Sequence, residues 1–264
     1  MTEVEALINL LHDDDPNIAI VAMEKLLSSP SFIEDHLRNL QESSDPKVRS
    51  RIHQMESILT RQKKLDEFIS RIKDNKIELW EDLLTLNKII DRDLSTSAFI
   101  DVFEKLVEKM DTQTTSILDL ATFMREQNFS APSDDILDPG LFLIYEVIAS
   151  ELGNPLLLCI ITRQLALRHN KKLTIVLHKG RHCLVDEDSS FIDPHNGWAI
   201  TKLKSNFKVY PCTNRDILLT IISQLYLSAL IEGHLRIISF LSQIMAALSN
   251  MSVDEFPFPV GKQK

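Results

Sequence analysis

Apolar residues recur at helical spacing along most of this chain and switch to alternation in only one stretch. Leu65, Phe68, Ile69 and Ile72 fall on one helical face, as do Leu79, Leu83, Leu84 and Leu86. Phe99, Val102, Phe103, Leu106 and Val107 continue the pattern, then Leu118, Leu120, Ala121 and Met124. Residues three and four apart share a helical face, so these runs predict helices from Lys63 to about Gln127. Trp80 lies within one run and reads as core packing rather than a binding aromatic.

Pro132 and Pro139 interrupt the pattern between Phe129 and Gly140. A helix is then expected from Leu141 to Glu151, ending at Gly153, and another from Pro155 to about His169. After Asn170 the period changes. Leu173, Ile175 and Leu177 alternate with Thr174 and Val176, then His182 to Val185, Phe191-Ile192 and Phe207 to Tyr210 follow. These predict three or four short strands of one antiparallel sheet. Asn214 to Leu230 and His234 to Leu248 read as a helical hairpin turned at Gly233, with Phe256 to Pro259 as a loose tail.

The N-terminus repeats itself. Leu7, Asn9, Leu10, Asp15, Pro16 and Ile18 recur at constant shift as Leu37, Asn39, Leu40, Asp45, Pro46 and Val48. Each unit reads as helix, Asp-Pro break, helix, with the aspartate as cap and the proline at the first helical position. The pattern resembles a HEAT-type helical pair, although two coincidental helical hairpins would give it too.

Composition narrows the classes. A chain of 264 residues with 44% hydrophobic and 25% charged residues can bury a sizeable core. Six glycines against twelve phenylalanines favour helices over a turn-rich sandwich. A net charge of -9 speaks against a broad nucleic-acid surface. Cys159, Cys183 and Cys212 are odd in number and widely spaced, as in a reducing compartment. Met1 to Ala6 lack the basic start of a signal peptide, and Ile217 to Ile231 fall short of a membrane span. The expectation is a cytoplasmic protein without membrane or nucleic-acid partners.

Three segments carry candidate chemistry: Gly153-Asn154-Pro155 at a helix start, Gly180-Arg181-His182-Cys183 in a strand, and Asp193-Pro194-His195-Asn196-Gly197 after a strand. This order resembles the transglutaminase and papain-like cysteine enzymes. There a thiolate sits at a helix N-terminus, a histidine moves the proton and a carboxylate orients the imidazole. In detail the segments are similar to bacterial transglutaminase-like proteins of the SirB type, with their Gly-Asn-Pro helix start, Gly-His-Phe strand and Asp-Pro-Phe-Asn-Gly turn. Asp138-Pro139 and the run Cys212-Thr213-Asn214-Arg215-Asp216 extend the likeness, which spans roughly Asn128 to Leu230.

The resemblance implies a mainly α, α+β fold with a transglutaminase-like core. HEAT-like repeats are expected over 1–62, the core with its helical lead-in over 63–212, the hairpin over 213–250 and a tail over 251–264. It also assigns His182 and Asp193 as a relic catalytic pair, in a pocket framed by Gly153, Asn154, Pro155 and Asn196. The departures concern the chemistry. Pro155 occupies the nucleophilic cysteine position, Leu157 replaces a serine common in relatives, Arg181 replaces a glycine and Cys183 a phenylalanine.

No cysteine is an evident substitute. Cys159 lies a turn beyond Pro155, about 6 Å along the axis, and reads as a buried hydrophobe. Cys183 adjoins His182 on a strand, so their side chains point to opposite faces, and Cys212 reads as a turn residue. His178, His182, Asp193 and His195 are residue types that zinc accepts, but their orientations are not set by the spacing, and no metal or cofactor is expected. Trp198 could frame the pocket or fill the core. Lys179 and Arg181, with His178, could meet an acidic partner or form a solvated loop. The sequence therefore predicts a pseudoenzyme that serves as a protein-interaction module. The alternative is acyl or amide chemistry through a displaced nucleophile or a water activated by His182.

Overall fold

A computed structural model describes residues 3–28, 40–41, 43–91, 95–110, 116–134, 137–203 and 208–256. Phe207, the Pro257-Phe258-Pro259 tail, and Leu37 and Asn39 of the second repeat lie outside these residues. The architecture is mainly helical with one small antiparallel sheet. It divides into two compact units, Met1–Glu67 and Phe68–Lys264.

In the first unit, α1 (Glu3–Leu10) and α2 (Pro16–Leu27) precede α3, which spans Pro46–Lys73. Both Asp-Pro breaks are built alike. Asp15 accepts the Asn17 N–H at 2.8 Å, and Asp45 accepts the Lys47 N–H at 2.8 Å. Each carboxylate satisfies a backbone donor that the helix start leaves open. Arg51 Nη1 donates to the Leu11 and Asp13 carbonyls at 2.6 and 2.9 Å, tying α3 to the first break. Leu11, Ala22, Met23, Leu26, Val48, Ile52 and Met55 form the core beneath. Helix α3 runs without a break through residues 62 and 63, where the sequence suggested a boundary.

In the second unit, α4 (Leu79–Ile90), α5 (Thr96–Lys109) and α6 (Ile117–Glu126) follow. Trp80 is half-buried against Phe99 and Phe103, with ring centroids 6.0 and 4.8 Å away. The helix expected from Leu141 is shorter: Pro139–Phe142 form a 3-10 turn, and α7 spans only Ile144–Ser150. Asp138 caps that turn by accepting the Gly140 N–H, so the chain tightens before α7 begins. Helix α8 (Pro155–Arg168) is buried nearly all round, from Leu156 through Thr162 without interruption. It is therefore the central helix of the unit.

The sheet has order β4-β3-β2-β1-β5, from β1 (Thr174–His178), β2 (Arg181–Val185), β3 (Ser190–Asp193), β4 (Ala199–Lys202) and β5 (Tyr210–Pro211). Strand β4 is one more than the alternation announced. Val176, Cys183 and Phe191 cluster on one face. Ile175, Leu184 and Ile192, aligned in register, alternate with them and point to the other face. Helix α8 contacts β1 and β2, and none of its side chains joins the Val176 cluster, so it covers the Leu184 face.

Helices α9 (Asn214–Glu232) and α10 (Leu235–Ser249) form the expected hairpin, turned by Gly233 in the left-handed region at φ 73°. Arg215 fastens it. Its guanidinium donates to Leu248 O at 2.8 Å and Ala247 O at 3.0 Å, the open carbonyls at the end of α10. No described helix is long and apolar enough to cross a membrane.

Candidate functional site

The start of α8 is fixed by local chemistry. Asn154 Oδ1 accepts the Leu156 N–H at 2.9 Å, and Pro155 occupies the first helical position, where its missing N–H costs nothing. Upstream, the Gly153 N–H donates to Ser130 O at 3.1 Å and the Asn154 N–H to Leu141 O at 2.9 Å. Gly153 is required by space. A Cβ there would lie 2.5 Å from Val147 Cγ1 and 2.9 Å from Cγ2. This glycine lets the helix start approach α7 closely and does not line the cleft.

Across from this helix start is the β1–β2 hairpin. His178 pairs with Arg181, leaving Lys179 and Gly180 as a two-residue loop with φ of 50° and 79°. Two consecutive left-handed residues define the type I′ turn that fits strand twist, and lysine is an uncommon choice for the first of them. His182 follows Arg181 and shares the side of Leu184, facing α8.

Between them lies a cavity of about 800 Å³. Asn154 and Pro155 line it from the helix, Lys179 to His182 from the hairpin, His195 from the turn after β3, and Thr220 and Gln224 from α9. Ser133, Asp134 and Phe142 complete it among others. A second cavity of about 340 Å³, lined by Arg125, Phe129 and Trp198 among others, shares His195 with the first.

No hydrogen bond joins His182 and Asp193, the pair that the resemblance assigns. Leu184 is in register with Ile192, so Asp193, the next residue, faces the side of Cys183. Its carboxylate is used locally, accepting the His195 N–H at 3.0 Å to cap the Pro194–Asn196 turn. Oδ2 is 3.9 Å from Arg181 Nη1. The imidazole of His182 has no hydrogen-bond or ionic partner among the described residues. Burial lowers its pKa below the ordinary value, favouring the neutral ring.

The remaining sequence candidates separate cleanly. Asn154 and Pro155 line the cavity with His182, whereas exposed Asn196 does not. Trp198 is core: it is 2% exposed and donates from Nε1 to Phe129 O at 2.6 Å. His178 Nδ1 contacts Lys208 O at 2.9 Å. Among the described residues, no group of three or more His, Cys, Asp or Glu is placed to hold a metal ion. All three cysteines are free thiols. Burial drives the Cys159 pKa well above its usual value, with smaller contributions from neighbouring acidic groups. Burial also pushes Cys183 up to about 12 and raises Cys212. A thiol is nucleophilic as its thiolate, so each shift opposes reactivity.

Several cavity residues were not singled out in the sequence, among them Ser133, Asp134, Thr220 and Gln224. Thr220 and Gln224 lie in an apolar helix of the hairpin, at positions i and i+4 that face one way. Their polarity within that run was the available signal. Buried Asp82 and Asn87 were also missed. Asp82 pairs with Arg71 at 2.8 Å, and Asn87 donates to Leu83 O and accepts from the Tyr145 N–H. Both sit in an apolar helix where only tertiary neighbours decide which polar groups are enclosed.

A central helix whose N-terminus faces a histidine-bearing strand of an antiparallel sheet is a transglutaminase-like arrangement. The family model for the Transglutaminase-like superfamily matches residues 62–210, more than half of the chain, and the chain belongs to that superfamily. The match begins in α3 and so includes the lead-in helices α4 to α6 as well as the sheet. No curated protein and no solved structure gives a match.

Proposed function

We propose that this chain is a degenerate, non-catalytic transglutaminase-like protein of the bacterial SirB type, acting in the cytoplasm as a protein-interaction module. One observation carries the reading: the helix turn facing His182 offers no nucleophile. Pro155 occupies the cysteine position, and Leu156, Leu157 and Leu158 behind it are buried hydrocarbon. The orienting carboxylate is absent from His182 as well, since Asp193 is engaged by its own turn and by Arg181. The family chemistry needs thiolate, imidazole and orienting group together. Here only the imidazole faces the cavity.

The SirB assignment is supported by five sequence segments in family order, ending in the Thr213 to Asp216 helix start. The interaction role is supported by the retained cavity and by the two Asp-Pro helical units, read as HEAT-like repeats whose faces suit a protein partner. Acyl transfer from a glutamine-containing peptide to a fluorescent primary amine tests the reading. Wild type and His182→Ala are both expected at background, and a reproducible rate that depends on His182 would sink it.

A second reading draws on a specific observation, the open cavity between His182 and Pro155. A neutral imidazole there could accept a proton from water, giving slow amide or ester hydrolysis. The same His182→Ala comparison with amide and ester substrates separates the readings.

A further inference from the structure

The cavity is rich in uncommitted donors. Among the described residues, Lys179 has no ion-pair partner, and Arg181 has only Asp193 at 3.9 Å. The Asn154 amide uses its oxygen to cap α8, leaving Nδ2 without a partner among the described residues. The Gln224 amide and the His182 and His195 rings likewise bond to no described residue. Thr220, by contrast, donates to Asp216 O within its own helix. Of the described lining residues, the fixed charges are Lys179, Arg181 and Asp134. On the described lining the cations outnumber the anion by one, with Asp193 beside Arg181, in a chain whose net charge is -9.

Two further facts shape the ligand. Lysine at a left-handed hairpin position is strained relative to asparagine, aspartate or glycine, yet it places a cation at the cavity rim. The two cavities share His195 as a lining residue, and the second is also lined by Arg125.

We propose that this cleft binds an extended acidic peptide segment of a partner protein, with carboxylates against Lys179 and Arg181 and backbone carbonyls on the Asn154 and Gln224 amides. The proposal rests on reading the cleft as a binding site rather than a reacting one.

Fluorescence anisotropy of the full chain tests it with a labelled peptide alternating Glu and Ala, an equivalent Lys-Ala peptide, and unlabelled glutarate as competitor. The acidic peptide is expected to bind and to weaken as salt rises, since exposed charges are screened over about 8 Å at physiological ionic strength. Lys179→Asn suits the left-handed turn and should keep the thermal midpoint while weakening the peptide by about twofold to fivefold, the range for an exposed charge contact. Charge reversal at both Lys179 and Arg181 should weaken it about tenfold or more and admit the Lys-Ala peptide.

Equal affinity for the two peptides, no acidic-peptide binding by folded protein, or indifference to charge reversal overturns the proposal. Glutarate binding as tightly as the peptide overturns the peptide and assigns the site to a small dicarboxylate. None of these outcomes bears on the acyl-transfer test, so either reading can fail alone.

Discussion

Gly153→Ala isolates the one steric demand at the α8 start. The added methyl would sit 2.5 Å from Val147 Cγ1 and 2.9 Å from Cγ2, well inside van der Waals contact. Val147 is 0% exposed, so it has no solvent to move into. Gly153 is not in a left-handed conformation, which leaves overpacking as the cause. Extra methyl groups in a filled core cost about 1–3 kcal/mol. In a unit of this size each kcal/mol lowers Tm by about 2–4 °C. Val147→Ala alone removes two buried methyl groups and should cost about 2 kcal/mol with its cavity. In the double variant the alanine Cβ occupies the vacated space, so its stability should match that of Val147→Ala alone. Urea denaturation of the four proteins gives the cycle, with an expected coupling of about 1–3 kcal/mol. A Gly153→Ala protein within about 0.5 kcal/mol of wild type, or purely additive effects, would refute the reasoning.

Other predictions follow from the buried ionisable groups. Burial raises the Asp82 pKa to about 6, against the pull of Arg71. The folded state then holds a proton that the unfolded chain releases, so stability should fall as pH rises from 3.8 to 6, by about 3 kcal/mol. This slope should vanish in Asp82→Asn, as read from urea denaturation at several pH values. Arg71→Met should cost about 1–3 kcal/mol at pH 7.5 and less at pH 5, where the isolated carboxyl can be neutral. For His182, burial lowers the pKa, so the unfolded chain takes the proton first and stability should fall as pH drops through 6.5. An NMR titration placing its ring above 6.5 would contradict this. Native alkylation at neutral pH should spare Cys159 and Cys183 and label half-exposed Cys212 slowly, whereas denaturant should expose all three thiols.

The features legible in sequence are those decided locally. Asn154-Pro155, Thr213 with Asp216, and Gly233 are caps and turns whose chemistry involves neighbours a few residues away. The helix start at Asn154-Pro155 and the turn at Gly233 are where they were expected, and the Thr213–Asp216 capping box opens the expected C-terminal helix. Strand β4 was missed because Ala199–Lys202 is short and buries little, and only pairing with β3 makes it a strand. The direction of Asp193 was decided by something the sequence did contain. Asp-Pro occurs four times, at Asp15, Asp45, Asp138 and Asp193. In each case the carboxylate accepts the N–H two residues on. The first two patterns marked caps, and the same rule applied to Asp193 would have withdrawn it from His182. The cavity itself was not legible, because it joins residues from the α8 start, a hairpin, a 3-10 turn and α9, which only the tertiary fold brings together.

The central claim is that the cleft retains an imidazole but no activated nucleophile. Its most direct measurement needs no knowledge of substrate: native protein is treated with a thiol-directed electrophile and a serine-directed fluorophosphonate, and modified residues are mapped by mass spectrometry in wild type and His182→Ala. No residue lining the cleft should be modified rapidly, and the pattern should be the same in both proteins. Fast modification of a cleft side chain that disappears in His182→Ala would contradict it.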